Sequence, residues 1–565
     1  MSYIDAKNHS NQVHVWYRDN GKLVYKKDKL PLYCYVKNID GPYKTLYGEP
    51  VNKVTFDRFW DYKEFIESHN DLFESDIEPV YKYLSDNFYK VNPDEPMNIG
   101  YWDIEIHPRL ERGKGYPTPE DPHGEILSIS LYIKFENRYH FFYLYDHKID
   151  LTDEFEGLEV KHHQHTKEVD MLMDFIHTIS DVDALADWNG EVFDIPMLIN
   201  RLKRLLGEDY ALKALCRNDF SAFERWVNDD YGNKNLKYDL VGRAHFDMLQ
   251  LYKRFEGSKM SLKLDNVAHE ELGEDYMKVD YQGTIQDFYE NEPERFFRYS
   301  LVDTQILKWI DEKKKHLDLA IQMARTGTVR YKDVLGSLRQ IEMGIRNFVH
   351  YDLDDPVVLN DRRDQSKTGK IKGAYVFPTK IGRHSWGFTQ DLSALYPSVI
   401  CSLNLSPETF VFQCTKKEED FFKIVQETDD LVVLEDVQEG DYIKTSAKEV
   451  KQIIKDEGLS ISANGSLFRN DFRGIIPLFV ERGVELRNHY KKLMKTAEND
   501  SDKSKYNIYQ LTLKEINNSV YGVLINEFCR FFNLDLGQSI TLTGQHVNRF
   551  QAIVAKELID NEKQR

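Results

Sequence analysis

Residues 98–106, NIGYWDIEI, set two acids two positions apart inside an otherwise apolar run. Such a run reads as a β-strand, and a period of two puts Asp103 and Glu105 on one face. Trp102, Ile104 and Ile106 flank them, so both carboxylates project from a packed element. Uncompensated, that is costly. A shared divalent cation removes the cost, because hard cations take oxygen ligands. An edge strand with solvated acids is the bland alternative.

From about residue 99 strands alternate with helices, which is the pattern of an α/β domain. ILSISLYIKF, YHFFYLY and DALADW read as strands, VDMLMDFIHTI as a helix, and PERFFRYSLVDTQILKWIDEKKK as a long helix. Before it, HVWYRD and PLYCYVKN read as strands, with Asp19-Asn20-Gly21 as a hairpin turn. A polar, basic boundary follows near 362–372. WGFTQDLSALYPSVI then reads as a strand running into a turn and helix. Residues 479–500 and 504–522 are strongly helical, and GQHVNRFQAIVAKELIDNEK forms a last helix. At 565 residues the chain needs about three or four domains.

MSYIDAKNHS lacks the apolar core of a signal peptide, and no run approaches the roughly 20 apolar residues that span a bilayer. Cys34, Cys216, Cys401, Cys414 and Cys529 are scattered without a CxxC pair, which argues against zinc or a disulfide framework. The net charge of −19 argues mildly against nucleic acid. Binding depends on where charge sits, and acidic clusters such as Glu418, Glu419, Asp420 and Asp429, Asp430 are expected on solvated faces. His162, His163 and His165 read as an exposed loop rather than a metal cluster.

Two further acidic patterns follow. In DWNGEVFDIP, Asn189 and Gly190 mark a turn, Phe193 is placed to anchor the loop in the core, and Asp194 enters a helix. In YSLVD, Tyr299 and Asp303 share a helix face. Each alone has a bland reading, a helix cap or a chance spacing. Together, in this order, they resemble the DxE, NxxxFD and YxxxD motifs of DEDD-type proofreading exonucleases, which have an RNase H-like fold. The resemblance implies that Asp103, Glu105, Asp194 and Asp303 bind two Mg²⁺ ions about 3.5–4 Å apart, with Mn²⁺ as a substitute. It implies that Tyr299 orients the attacking water and that Asn189 and Phe193 support the primer end. YGNKNLKYDLVGRAHFDMLQLYKRF resembles the family's β-hairpin and following helix, with Asp247 expected on the helix surface.

DLSALYPSVI, beginning at Asp391, resembles motif A of the family B DNA polymerases. A strand would deliver Asp391 to a metal ion. The turn at Ser393, Ala394 and Leu395 would offer backbone N–H groups to a triphosphate, and Tyr396 would exclude a 2′-hydroxyl. KEINNSVYG fits the family's motif B and puts Lys514, Asn518 and Tyr521 on one helix face. By resemblance Arg487 and Lys491 are further triphosphate ligands, although a basic stripe is often just solvated. Lys370, Lys372, Gly373 and Ala374 resemble a template-contacting linker, and Ser406-Pro407-Glu408-Thr409 adds to the likeness.

The resemblance covers about residues 1–560 and is to the T-even-type phage branch. It implies an α/β multidomain chain with an N-terminal domain (1–98 and 317–362), a 3′→5′ exonuclease (99–316), a partial palm (363–473 and 527–565) and two-helix fingers (474–526). No YGDTDS-like motif C and no thumb sequence occurs. Two-metal nucleotidyl transfer needs at least two carboxylates. Synthesis is therefore expected to need a second chain carrying motif C and the thumb, which would also engage a sliding clamp. The last palm piece is expected to expose an apolar surface for that chain. The implied setting is viral DNA replication in the cytoplasm of an infected bacterium, on primer–template DNA and dNTPs, with no membrane. A stand-alone exonuclease and a non-catalytic primer–template scaffold are the alternatives.

Overall fold

The computed structural model describes residues 1–564 apart from 92–93, 109–114, 147–150, 230–231, 258, 274–280, 282, 363–372, 379–380 and 384–388. The chain divides into two compact units, Met1–Pro31 with Pro79–Leu335, and Leu32–Glu78 with Gly336–Arg565. Residues 1–98 and 317–362, grouped above as one N-terminal domain, are therefore distributed over both units.

In the first unit the acid-bearing strand Ile99–Ile106 lies inside a seven-stranded sheet. The order is Glu154–Phe155, Leu158–His165, Arg138–Leu144, Ile126–Ile133, Ile99–Ile106, Ala184–Asp187, Ala244–Asp247. Ile99–Ile106 runs antiparallel to Ile126–Ile133 and parallel to Ala184–Asp187. Every residue of Ile126–Ile133 is buried, as a strand covered on both faces requires. Trp102, Ile104, Leu131 and Phe142 join Leu172, Phe175 and Leu198 from the helices in one core. The Trp102 and Phe175 rings stack 5.4 Å apart.

The helix Pro293–Lys314 is fastened to this sheet by small hydroxyl residues. Ser130 Oγ lies 2.6 Å from Thr304 Oγ1 and donates to the Ser300 carbonyl at 2.8 Å, and Ser128 Oγ is 3.3 Å from Ser300 Oγ. Asp103 and Glu105 are the cross-strand partners of Ser130 and Ser128, so all share one face. The seat that holds the helix thus also brings Asp303 to the two acids.

The N-terminal hairpin forms as read. Strands Gln12–Asp19 and Lys22–Lys29 are joined by Asn20 (φ 50°) and Gly21 (φ 76°), the left-handed pair of a type I′ turn. Arg18 is buried and donates from Nε to Asp183 Oδ2 at 2.6 Å.

The second unit holds two five-stranded sheets. One has the order Val357–Val358, Tyr43–Thr45, Pro50–Thr55, Tyr33–Lys37, Leu72–Phe73. The other has the order Tyr442–Ser446, Leu431–Asp436, Phe410–Cys414, Ser466–Phe468, Ser460–Ile461. Fully buried Glu74 ties the first sheet to helix Leu338–Tyr351, accepting from Arg346 Nε (3.0 Å), His350 Nε2 (2.6 Å) and the Leu359 N–H (3.1 Å). Burial works to raise its carboxyl, but His350 and Arg346 hold it well below the ordinary range. Ser406-Pro407-Glu408-Thr409 has a structural role. Glu408 Oε1 accepts the Ile475 N–H at 2.6 Å and Ser406 Oγ the Ile476 N–H at 3.3 Å, capping helix Ile475–Thr496. Of the acids read as solvated, Asp420 is buried and accepts the Lys416 N–H.

Helices Ile475–Thr496 and Asp500–Leu524 pack along each other, joined by residues 497–499, with the Asn499 side chain capping the second. Their close approach depends on Gly483, where an added Cβ would sit 2.3 Å from Asn517 Oδ1. Gly483→Ala is expected to cost about 1–3 kcal/mol by overpacking, read as a lower urea midpoint. Asn517→Ala in the same chain should restore part of the loss, because the two side chains would no longer collide.

Candidate active sites

Asp103, Glu105 and Asp303 each offer a carboxylate oxygen, and those oxygens lie within 4.8 Å of one another. Asp103 and Glu105 are half-buried and Asp303 is buried. This is an all-oxygen donor set of the kind Mg²⁺ and Mn²⁺ take. Asp194 opens helix Asp194–Leu206 and is also buried. Its carboxyl is raised well above the ordinary range, first by burial, then by Asp187, with Asp247 and Glu105 adding to it. A divalent cation is the natural counter-charge for such a group, so the residues fit the metal the sequence implied. Tyr299, one helical turn before Asp303, packs its ring against Phe288 at 5.7 Å.

Two further acids support this group, Asp187, which was missed in the sequence, and Asp247, which was placed on a helix surface. Asp187 is fully buried. It accepts from Trp102 Nε1 (3.1 Å), His245 Nε2 (2.7 Å) and the Gly190 N–H (3.0 Å). Gly190 has to be glycine, since a Cβ there would lie 2.1 Å from Asp187 Cγ. Asp247 is not on a helix surface; it is the buried N-cap of helix Met248–Glu256. Its Oδ1 accepts from the N–H groups of Leu249, Gln250 and Asn189. Asp187 and Asp247 are register partners at the ends of adjacent parallel strands. The signal was present, because ALAD and AHFD are apolar runs ending in an acid, as DIE is. The loop between Asp187 and Asp194 is thus pinned by two buried carboxylates, with Asn189 at φ 70°.

Two expectations fail here. Phe193 does not anchor the loop in the core. It is 37% exposed and stands at the mouth of helix Asp194–Leu206, where its backbone turns into the helix and its ring faces out. His162, His163 and His165 are not an exposed loop but lie on strand Leu158–His165. Asp174 Oδ2 binds both His163 Nδ1 (2.7 Å) and His165 Nε2 (3.0 Å), and His163 Nε2 meets His140 Nδ1 at 3.1 Å. Parallel pairing with Arg138–Leu144 explains the strand, which short polar runs do not announce. A hairpin does form, but it pairs Phe223–Asn228 with Lys234–Asp239, so its first strand lies upstream of the segment from Tyr231 in which it was expected.

In the second unit the two motif segments meet. The Tyr396 and Tyr521 rings lie 4.7 Å apart, and burial raises both phenols. Tyr396 belongs to helix Leu395–Ser402, and Leu395 packs beside it on the core. Ala394 precedes that helix at φ 55°, a strained conformation for alanine. Asp391 and Ser393 are exposed. Residues 389–392 form no strand, which corrects the expected strand into Asp391; 386–388 lie outside the described residues, as do Lys370 and Lys372. Along helix Asp500–Leu524, Lys514 and Asn518 are exposed and Tyr521 half-buried, while Ile516, Asn517, Val520 and Val523 turn inward. Arg487 donates from Nε to Gln510 Oε1 at 3.4 Å. The neighbouring Lys491 has its ammonium pKa lowered, chiefly by Arg487. Two adjacent cations that disfavour each other's charge make a face suited to an anion.

The pH behaviour follows from the buried groups. Asp194 keeps its proton above the ordinary carboxylate range, so the folded, metal-free chain binds more protons than the unfolded one and loses stability as pH rises through that range. A divalent cation held by Asp194 would have to displace this proton. Calorimetric titrations in buffers of different ionisation heat are therefore expected to show proton release, and Asp194→Asn to abolish it. His245 is raised to about 9: burial would lower it, but the Asp187 carboxylate prevails. Its contribution is complete below its ordinary pKa of about 6.5 and is lost as pH rises through about 9. His245→Gln should flatten the thermal-stability profile across that window.

Among the described residues no helix is long and apolar enough to cross a membrane. The family model for the exonuclease domain of DNA polymerase family B matches residues 64–267, and that for DNA polymerase family B matches 335–564. The DNA-directed DNA polymerase of Escherichia phage RB69 is 23% identical, over 89% of this chain and 60% of its own length. That of Enterobacteria phage T4 is 24% identical, over 96% and 65%. The DNA polymerase delta catalytic subunit of Candida albicans is 26% identical, over 80% and 40%. The chain thus spans less than two thirds of the length of each of these relatives. With the exonuclease model covering Asp103, Glu105 and Asp194 and the polymerase model covering the tyrosine pair, the chain belongs to the family B DNA polymerases.

Proposed function

We propose that this chain is the proofreading part of a viral DNA-directed DNA polymerase and hydrolyses DNA from the 3′ end. The observation that carries this is the convergence of the Asp103, Glu105 and Asp303 oxygens within 4.8 Å, with buried Asp194 feeling the charge of Glu105. Those four residues would hold divalent cations, which polarise the scissile phosphate and offset charge on the leaving oxygen. Tyr299 orients the attacking water, whose oxygen bonds to phosphorus as the P–O3′ bond breaks and a proton passes to the leaving 3′-oxygen. Exposed Phe193 and Asn189 hold the terminal nucleotide. Asp187 and Asp247 fix the loop that carries them.

In the second unit Asp391 serves as a metal ligand for synthesis. Ser393 and Leu395 offer backbone N–H groups, and Tyr396, seated on Tyr521, supports the sugar. Arg487, Lys491 and Lys514 bind the triphosphate, and Asn518 lies over the nascent pair. Helices Ile475–Thr496 and Asp500–Leu524 are the fingers. The seven-stranded sheet unit is the exonuclease, and the sheet spanning 410–468 belongs to the palm. Primer–template DNA and dNTPs are the substrates. The motifs within these 565 residues supply one metal-binding aspartate, and on this reading the other, with the thumb and the route to a sliding clamp, comes from a C-terminal polymerase portion acting as the partner. Val547, Phe550, Ile553, Leu558 and Ile559 lie exposed along helix Leu534–Gln564 and give that partner an apolar surface. The work takes place in the cytoplasm of an infected bacterium. A stand-alone exonuclease is the second reading, but the Tyr396–Tyr521 contact and the cationic helix face favour retained synthesis machinery.

The test is a 5′-labelled primer–template with Mg²⁺, with and without dNTPs, read on a gel. Primer shortening without extension is expected. Asp303→Asn should slow shortening by roughly a thousandfold, the several kcal/mol of a metal site. Extension by this chain alone would sink the partner proposal, and no metal-dependent shortening would sink the nuclease.

A further inference from the structure

A cavity of about 680 Å³ in the first unit has Arg243 in its wall. Arg243 is 4% exposed, and its Nε and Nη1 have no hydrogen-bond partner. Burial and the neighbouring Arg217 push its guanidinium pKa down to about 9. The nearby carboxylate cannot serve it. Asp183 is already committed to Arg18, which it meets at 2.6 and 3.1 Å, to the Asn98 N–H at 2.9 Å and to Arg217 at 3.5 Å. Arg217 also has an unpartnered buried Nε. Asp5, in the same wall, accepts the Gly242 N–H at 2.8 Å, and a buried guanidinium with unfilled N–H groups is among the costlier arrangements in a fold.

The remaining charges of the cavity wall are largely spoken for. Glu191 binds Arg225 and Lys237, and Asp239 binds Arg225 and Lys332. Asp247 lies in the same wall, with its Oδ1 taken by the N–H groups of Asn189, Leu249 and Gln250. At the rim Phe223, which opens the hairpin strand, is 63% exposed. A volume of this size exceeds what an inorganic ion needs and suits a ligand carrying a flat ring as well as an anion. Exposed aromatic rings beside cations are the usual means of holding a nucleotide base and its phosphate.

We propose that this cavity is a nucleotide site separate from the two candidate active sites, with the phosphate on Arg243 and the base on Phe223. The phosphate belongs to a nucleoside monophosphate or to a phosphodiester of single-stranded DNA, and the site needs neither metal nor catalysis. It therefore stands or falls independently of the nuclease and polymerase readings.

The experiment is calorimetric titration of the full chain in EDTA, which silences metal-dependent binding, with inorganic phosphate, dAMP and a short oligothymidylate. Saturable binding of a nucleotide probe is expected, with a Kd on the order of 0.1 mM for dAMP. Arg243→Gln should weaken it at least about tenfold. Should that variant not fold, Phe223→Ala at the exposed rim decides: dAMP or oligothymidylate binding falls several-fold while phosphate binding is unchanged. Tighter binding of the oligothymidylate than of dAMP assigns the phosphate to a DNA strand, and the reverse order assigns it to a free nucleotide. Absence of saturable binding for every probe overturns the proposal. So does nucleotide binding that neither Phe223→Ala nor a folded Arg243→Gln weakens.

Discussion

The dominant constraint on the first unit is the cost of keeping carboxylates out of water beside one another. Asp187, Asp194, Asp247 and Asp303 are all buried, and Asp103 and Glu105 are half-buried next to them. Left alone, such a group of like charges would protonate or open the fold. Each acid is handled by a different device. Three backbone N–H groups meet Asp247, while an imidazole, an indole and a backbone N–H meet Asp187. Asp194 holds on to its proton. Asp103, Glu105 and Asp303 instead face one another closely enough for a cation to bridge them. Asp187 and Asp247 are the fixed scaffold; Asp103, Glu105 and Asp303, whose oxygens converge, are where an ion has work to do. The serine seat under helix Pro293–Lys314 serves the same end, since larger side chains at Ser128 and Ser130 would lift Asp303 from its partners.

The second unit turns the electrostatics round. Three of its candidate residues, Arg487, Lys491 and Lys514, are cations on helix faces open or half-open to water, where hydration keeps them inexpensive until an anion arrives. What the fold supplies is rigidity. Glu408 and Ser406 cap helix Ile475–Thr496 at its base, and the Gly483–Asn517 contact holds the second helix close along it. Arg487 and Lys491 are therefore presented at fixed spacing from Lys514 rather than on free loops. The mutual repulsion of half-buried Arg487 and Lys491 is outweighed by attraction when a polyanion lies between them.

Much of this was legible in the chain, and what was not has physical reasons. Strands and helices with strong periodicity, such as Ile99–Ile106 and Pro293–Lys314, could be read because local pattern and tertiary burial agree. The Asn20-Gly21 turn could be read because few residues tolerate its backbone. Phe193 misled because a large apolar residue between acids looks like an anchor, whereas its ring lies outward. The histidine-rich strand misled because its stability comes from pairing with Arg138–Leu144 and from Asp174, neither of which is local. Asp187 and Asp247 escaped for the opposite reason. Each has an ordinary local reading, as a strand end or a helix cap, and only the sheet register sets them side by side.

Net charge was the weakest guide of all, and the structure shows why. A total of −19 suggests a surface that repels nucleic acid. Yet several of the acids in that total are buried, paired with arginine or histidine, or grouped where a cation belongs, and these add little to the field that an approaching strand meets. Conversely, Lys514 is an exposed charge on a helix whose other face is buried. With a screening length of about 8 Å in physiological salt, a phosphate responds to the few charges it touches rather than to the sum over the chain. An acidic protein can therefore present cationic faces to an anion without contradiction, provided its carboxylates are spent inside the fold.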